Sequence, residues 1–229
     1  MKNFATISAD VISYTSLAEE EKRGLESAIK QLLLDLTVMY GKYSFFGRLV
    51  QGDYIECAID SPKYALRIAL LLKTLVKSFD FSKNAIKDNR LKYFNEHGVR
   101  LAVAVAPLVK LDPEIGIIDG EAIYLSGRAI KNISTSDKQK IVIKNTMYFC
   151  SNDISLQEPY ETIFSLLDTI ISKCSAKQSQ ILYYKLLNLS EKEISQRLSK
   201  SQSTVSQHST AAGWLSIEKT VNYFENSIQ

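Results

Sequence analysis

The sequence lacks three features that would each point at once to a class of protein. No run approaches the roughly 18 apolar residues that a membrane-spanning helix needs, and the N-terminus meets a charge at Asp10, too early for a secretory signal. Cysteine is scarce: Cys57, Cys150 and Cys174 are odd in number and not at zinc-ligand spacings. The net charge of +3 is too small to indicate a polyanionic partner by itself. We therefore expect a cytoplasmic protein with reduced cysteines.

What is present is the composition of a globular chain. Its 229 residues are 45% hydrophobic and 23% charged, enough to bury roughly 70% of the unfolded surface. The character of the sequence changes after about residue 145, where sheet-like and helical patterns give way to helices alone. We predict two domains, 1–150 and 175–229, joined by a linker helix within 151–174.

The clearest local pattern is a β-hairpin at residues 43–60. Two short runs rich in β-branched and aromatic residues flank Gly52-Asp53, and a two-residue connection with glycine favours a primed turn. After the turn, Ile55, Cys57 and Ile59 alternate with polar residues, as in a strand with one buried face. The pattern predicts that Asp53 lies at the hairpin tip, outside the core.

Periodic patterns assign the rest of the first 150 residues. In chain order they predict a strand ending at Asp10, a helix from Thr15 or Ser16 to Tyr40, the hairpin, a helix after Pro62, a polar loop at 82–90, an apolar strand at 98–109, a helix from Glu121, and a last strand at 138–144. This order, with two helices on one face of an antiparallel sheet and a split βαβ core, is typical of the α+β ferredoxin-like palm.

Three short motifs in this half resemble those of class III nucleotidyl cyclases. They are SADVISYTSL around Asp10, Gly52-Asp53 at the hairpin, and GEAIYLSGR, which contains Arg128. The resemblance implies that Asp10 and Asp53 bind Mg²⁺ or Mn²⁺, and that Arg128 would stabilise the transferring phosphate if the domain is active. Backbone N–H groups at the following helix start could hold the phosphates of a nucleotide or phosphorylated small molecule. These groups belong to Val11, Ile12, Ser13, Tyr14 and Thr15.

Departures from the cyclase pattern favour ligand sensing over catalysis. Leu49 and Ile117 stand where the family carries polar residues that select the base, and Tyr124 stands where it carries a catalytic asparagine. Apolar side chains cannot read a base edge through hydrogen bonds. An active class III-type cyclase, or a related metal-dependent phosphotransferase, is the alternative.

The last part of the chain reads as a row of helices, at 180–187, 191–198, 201–212 and 217–224. Ser190 and Ser201 are caps, with a capping box at Ser190. Ile194 and Leu198 on one helix, and Val205 and Ala212 on the next, are the expected inward residues of a helix-turn-helix. The side chains predicted to face DNA are Gln202, Ser203, Thr204, Ser206, Gln207 and His208.

The segment SEKEISQRLSKSQSTVSQ resembles the helix-turn-helix of bacterial regulators, and the whole layout resembles the SatD family. This implies a DNA-binding regulator. The recognition helix carries no lysine or arginine, so DNA binding would need a homodimer or tandem modules. Two alternatives remain open: a helical bundle that serves only dimerisation, and a protein-interaction adaptor with both sites vestigial.

Overall fold

The computed structural model describes residues 2–81, 89–137 and 145–228. Its strands are β1 Asn3–Val11, β2 Phe46–Val50, β3 Tyr54–Ile59, β4 Val99–Pro107, β5 Lys110–Asp112, β6 Ile117–Asp119 and β7 Met147–Cys150. Its helices are α1 Glu19–Tyr40, α2 Ala65–Lys77, α3 Asn89–His97, α4 Glu121–Asp137, α5 Ile154–Ser172, α6 Ala176–Leu186, α7 Glu191–Leu198, α8 Gln202–Ala211 and α9 Trp214–Ser227. Within these ranges, no helix combines the length and apolar character needed to cross a bilayer.

The main sheet has the strand order β2-β3-β1-β4-β7. The first four strands are antiparallel to their neighbours, and β7 is parallel to β4. The unit β1-α1-β2 is split by β3, and the unit β3-α2-β4 is split by β1. Two interleaved split βαβ units define the ferredoxin-like arrangement, so the predicted α+β palm is confirmed.

The alternation of β1 separates two faces of the sheet. Ala5, Ile7 and Ala9 are buried in the main apolar core with α1 and α2. Between them, Thr6 and Ser8 share hydrogen bonds of 3.1 and 2.9 Å with the hydroxyl of Ser126 on α4. Helices therefore cover the sheet on both faces, and α4 is held to β1 by a small group of buried hydroxyls.

Helix α2 is buried on almost every side, because the sheet lies on one side and the C-terminal helices on the other. The main apolar core runs without interruption from the sheet through α2 to α5, α6 and α9. Phe149 of β7 stands at this junction, with its ring centroid 5.5 Å from Phe164 and 6.3 Å from Phe224. The C-terminal helices are thus packed against the palm rather than tethered to it.

A second, small core holds α6, α7 and α8 together. It consists of Ile181, Ile194 and Val205, with Tyr184, Leu189 and Leu198 packed around it. The predicted inward positions of Ile194 and Val205 are confirmed. Ala212 is also buried, but it belongs to the main core and not to this cluster.

Two local predictions near the sheet edge need correction. Residues Tyr14–Ser16 form a separate 3-10 turn, and α1 begins only at Glu19, where the Glu21 carboxylate accepts the Ala18 N–H at 2.8 Å. The hairpin loop has three residues rather than two, because Val50 pairs with Tyr54.

The chain around residue 150 also differs from its prediction. The predicted strand at 138–144 and most of the predicted loop at 82–90 lie outside the described residues, and the strand beside β4 is Met147–Cys150. Helix α5 begins at Ile154, before Pro159, because Asp153 caps it by accepting the Ser155 N–H at 2.9 Å. Pro159 lies inside the second turn of the helix, where proline removes one backbone hydrogen bond and its ring crowds the carbonyl of Ser155.

Candidate functional site

The structure brings Asp10 and Asp53 to the same end of the sheet. In the register of the sheet, Asp10 lies opposite Tyr54 on β3 and opposite Arg100 on β4. Asp53 immediately precedes Tyr54, and its carbonyl accepts the Val11 N–H at 3.0 Å. Two residues far apart in sequence thus meet where β1 ends and the hairpin turns.

Both carboxyl groups have a raised pKa, and the charge of Asp53 acts on Asp10. Burial raises the pKa of Asp10, the Arg100 guanidinium lowers it, and the charge of Asp53 raises it further. The Arg100 Nε lies 3.8 Å from Asp10 Oδ2. Burial is also the main reason that the pKa of Asp53 is raised, and Glu26 adds to it against backbone N–H groups. Arg100 therefore offsets only part of the shift at Asp10, and the pKa values of both carboxyl groups stay raised.

The donor set suits a hard divalent cation that keeps other ligands. Among the described residues, no group of three or more histidine, cysteine, aspartate or glutamate side chains could enclose a metal. Mg²⁺ is commonly bound through one or two carboxylates together with water and substrate phosphates. Asp10 and Asp53 fit that mode, in which phosphate oxygens complete the coordination.

The backbone after Asp10 is only partly available to a phosphate. The N–H groups of Val11 and Ile12 donate to the carbonyls of Asp53 and Gly98, both at 3.0 Å. The bonds of the 3-10 turn run from Ser16 and Leu17 to earlier carbonyls, so they do not use the N–H groups of Ser13, Tyr14 and Thr15.

Arg128 lies on an exposed part of α4, one turn after Tyr124. The Tyr124 side chain is 51% exposed, and its hydroxyl donates a hydrogen bond to Asp119. That hydrogen bond raises the pKa of Tyr124, and Arg128 lowers it. Arg128 is not among the charges that shift the pKa of Asp10 or Asp53.

Sequence reasoning missed three residues around this site: Arg100, Glu26 and the side chain of Tyr14. The Tyr14 hydroxyl donates to Glu26, and both lie over the hairpin turn, where a Cβ at Gly52 would approach the hydroxyl to 2.6 Å. For Arg100 a signal was available, since it is the one charged residue in the apolar strand VRLAVAVAP. The contact between Tyr14 and Glu26 had no such signal in the sequence.

The six residues predicted to contact DNA lie on α8. The side chains of Gln202, Ser203 and Gln207 are exposed, and those of Thr204, Ser206 and His208 are partly exposed. Ser201 caps the helix by accepting the Thr204 N–H at 3.1 Å. Three residues connect α8 to α7, beginning with Ser199 at a φ of 50°.

Three cationic side chains lie on α7 and on the connection that leads from it to α8. Lys192, Arg197 and Lys200 are exposed, and the Arg197 guanidinium lies over the Tyr184 ring at 5.4 Å. These side chains could contact the phosphates of a DNA backbone. Helix α8 itself carries no lysine or arginine for such contacts.

Comparison with known proteins finds similar solved structures, whereas no protein-family model and no curated protein matches the chain. One similar structure is a bacterial light-regulated adenylyl cyclase, with 10% identity, a TM-score of 0.43, and coverage of 64% of this chain and 74% of the cyclase chain. Another is an adenylate cyclase from Trypanosoma brucei in its monomeric state, with 17% identity, a TM-score of 0.41, and coverage of 56% and 68%. The class of fold assigned here, a ferredoxin-like palm, rests on the strand order and directions described above.

Proposed function

We propose that this protein is a cytoplasmic, DNA-binding regulator whose palm senses a metal-bound nucleotide or another phosphorylated small molecule. The observation that supports this most strongly is that Asp10, near the end of β1, and Asp53, in the adjoining hairpin loop, lie at the same end of the sheet, where each carboxyl group has a raised pKa. A divalent cation between them would relieve both the repulsion and the lost solvation.

In this proposal Asp10 and Asp53 hold Mg²⁺ or Mn²⁺, and the ion supplies neutralisation of phosphate charge. The N–H groups of Ser13, Tyr14 and Thr15 orient the phosphates. We favour binding over turnover, because Leu49 packs against the core and Ile117 is apolar, so neither can hydrogen-bond to a base.

The C-terminal helices supply the DNA-binding part. The side chains of α8 would reach base edges in the major groove, while Lys192, Arg197 and Lys200 contact phosphates. Three cations give modest affinity per chain, so the proposal includes a homodimer that occupies two half-sites.

An apolar patch on the palm supports dimerisation. Val109, Ile115 and Tyr124 are 84%, 63% and 51% exposed, and Ile117 is 37% exposed. The Val109 N–H donates to the Asp119 carbonyl, and the Tyr124 hydroxyl donates to the Asp119 carboxylate. The patch therefore spans the β5-β6 hairpin and the start of α4, and a second copy of this chain is its proposed occupant. Light scattering of Val109→Glu, compared with the wild type, tests this: a monomeric variant supports the patch, and an unchanged dimer rejects it.

Metal binding is tested by calorimetry with Mn²⁺ and inorganic tripolyphosphate. We expect wild-type protein to bind, and Asp10→Asn and Asp53→Asn each to weaken binding at least about tenfold, or about 1.4 kcal/mol. Asp112→Asn is the matched control, since Asp112 is a partly exposed carboxylate on β5 and should bind like the wild type. Equal binding by all three variants would refute the metal site.

DNA binding is tested by selecting genomic fragments on the immobilised protein and measuring retention against salt. We expect a shared sequence among the fragments and a steep loss of affinity with salt. Gln202→Ala should lower affinity for the selected sequence by about 1–3 kcal/mol if the glutamine makes a bidentate base contact. Gln180→Ala, on α6, is the control and should leave it unchanged. If no duplex is retained at low salt, the regulator proposal is wrong.

A further inference from the structure

Helix α2 carries two lysines that are almost completely buried. Lys73 is 0% exposed and Lys77 is 1% exposed. The Lys73 ammonium donates to the Val99 carbonyl at 2.9 Å and to the Thr146 hydroxyl, and lies 3.2 Å from Asp168 Oδ1. The Thr146 N–H and hydroxyl both donate to the same carboxylate. One buried ion pair thus joins α2, β4, the residue before β7, and α5.

Lys77 ties two helix ends together. Its ammonium donates to the carbonyls of Asn95 and Glu96, near the end of α3, at 2.8 and 2.7 Å, and to the carbonyl of Ser172, at the end of α5, at 3.2 Å. Cations are favourable at helix C-termini. Burial lowers the pKa of Lys77 to about 8, so the side chain still carries its proton at neutral pH.

On the palm side, these lysines reach the backbone that borders the carboxylate site. Val99, whose carbonyl accepts from Lys73, pairs with Val11 of β1. The carbonyl of Gly98 accepts the Ile12 N–H. Gly98 has a φ of 67°, and a Cβ there would lie 3.2 Å from the backbone nitrogen of Lys77. The start of β4 therefore contacts the carboxylate site on one side and the two lysines on the other.

On the other side, the lysines hold the helix that leads into the DNA-binding part. Asp168 and Ser172 are in the last two turns of α5, and α6 follows after Lys173, Cys174 and Ser175. Leu167 and Ile171 pack into the main core between them. A shift of the first residues of β4 cannot leave the end of α5 in place unless these buried hydrogen bonds break.

We propose that Lys73 and Lys77 couple ligand binding at Asp10 and Asp53 to the position of the C-terminal helices. This inference rests on the proposed function, because it needs a ligand at the two aspartates. A bound cation competes with Arg100 for Asp10. It therefore changes the charges that act on Arg100, which directly follows Val99 on β4. The lysines carry the resulting displacement of β4 to α5. Buried charges with a fixed set of partners suit this task, since apolar packing would stabilise the core equally well but would fix positions less specifically.

Hydrogen–deuterium exchange of the full chain, with and without Mn²⁺ and inorganic tripolyphosphate, tests the coupling. In the wild type we expect slower exchange at residues 11–17 and 50–54, and a change of about fivefold or more, the lower range of allosteric effects, in α6, α7 and α8. In the double variant Lys73→Met/Asp168→Leu we expect the local protection to remain and the distant change to become clearly smaller, because only the hydrogen bonds of Lys77 then still hold the end of α5.

The controls distinguish the possible failures. Arg67 at the other end of α2 donates to Glu225 of α9 at 2.6 Å, so Arg67→Met/Glu225→Leu removes a comparable link that does not touch β4, and it should keep the distant change. Thr146→Val, which removes one hydroxyl, should reduce the distant change and covers the case in which the first double variant does not fold.

No local protection in the wild type would refute the proposed ligand site itself. Local protection without a distant change in the wild type, or a distant change that is not reduced in either Lys73→Met/Asp168→Leu or Thr146→Val, would refute the coupling alone.

Discussion

Two acidic centres of this protein, Asp168 and the pair of Asp10 and Asp53, differ in the direction in which the fold shifts their pKa values. Asp168 is 3% exposed and meets the Lys73 ammonium and both donors of Thr146. Burial alone would raise its pKa, but Lys73 and the Thr146 donors outweigh burial and lower it. The pKa values of Asp10 and Asp53 are raised instead, mainly by burial, with smaller contributions from the charge of Asp53 on Asp10 and of Glu26 on Asp53.

In the function proposed above, the difference separates a carboxylate that completes the fold from a pair that binds a ligand. A buried charge with all its partners in place contributes to structure, and removing a partner is expensive. A pair whose mutual repulsion is incompletely compensated is typical of functional sites, where perturbed pKa values cluster. The following predictions test whether the two centres really divide in this way.

The largest effect should come from Asp168→Ala, which leaves the Lys73 ammonium buried without its carboxylate. We expect a loss of about 3–5 kcal/mol in the free energy of unfolding, measured by denaturant titration. Lys73→Met/Asp168→Leu should recover most of this loss, because it removes both charges and keeps the volume filled. If the single variant costs less than about 1 kcal/mol, Asp168 is not a structural charge.

Gly98→Ala acts between the two centres. The positive φ of Gly98 and the close backbone of Lys77 should make the variant less stable by about 1–3 kcal/mol, the usual range for such strain. Ala102→Gly, on the same strand but without a positive φ, is a comparison for β4. Thermal unfolding measures both, and an unchanged Gly98→Ala melting temperature would contradict the close contact.

Asp53→Asn should have the opposite sign in the absence of metal. Removing one of two repelling carboxylates should stabilise the protein slightly, by about 0.5 kcal/mol or less, while abolishing the stabilisation that Mn²⁺ gives the wild type. Thermal shift assays with and without Mn²⁺ measure both effects. If Asp53→Asn is less stable than the wild type without metal, Asp53 stabilises the fold, as Asp168 does, and the prediction is wrong.

The smallest and most discriminating effect is the dependence of stability on pH. For Asp168, whose pKa is lowered in the folded state, the stabilising contribution is present above the ordinary aspartate pKa of 3.8 and is lost as pH falls through the folded pKa. For Asp53, whose folded pKa is raised, the ionised side chain costs stability as pH rises above 3.8.

Melting temperatures of the wild type, Asp53→Asn and Asp168→Asn between about pH 3 and pH 7 separate these cases. The gap between wild type and Asp168→Asn should narrow toward low pH. The wild type should fall below Asp53→Asn only as the pH rises. If the difference in melting temperature between wild type and variant changes with pH in the same direction for both variants, the two centres do not differ in this way.

Much of the palm could be predicted because local sequence patterns identify its strands and helices. Alternation in Tyr54–Ile59 and the apolar stripe of Glu19–Tyr40 predict a strand and a helix, and the split βαβ order then brings Asp10 close to Asp53. The strand Met147–Cys150 was missed, because four residues give too short a window for a period to be recognised.

The partners of the buried lysines could not be predicted. In the helix sequence ALRIALLLKTLVK, Lys73 and Lys77 look like ordinary solvent-facing lysines, and nothing near them indicates Asp168 or Ser172. Such pairings depend on how distant helices pack, which local periodicity does not encode. The same limit hid the contact of Tyr14 with Glu26.

The burial of α2 between the sheet and the C-terminal helices bears on how this chain can be dissected or recombined. A fragment that stops at residue 150 would expose the apolar side of α2 to solvent. It would also leave Lys73 without its counter-ion Asp168, so we expect the fragment to precipitate or to need a chaperone. Exchanging the C-terminal helices for those of another protein would fail for the same reason unless α2 were redesigned with them. Natural recombination should therefore have transmitted both halves as one unit.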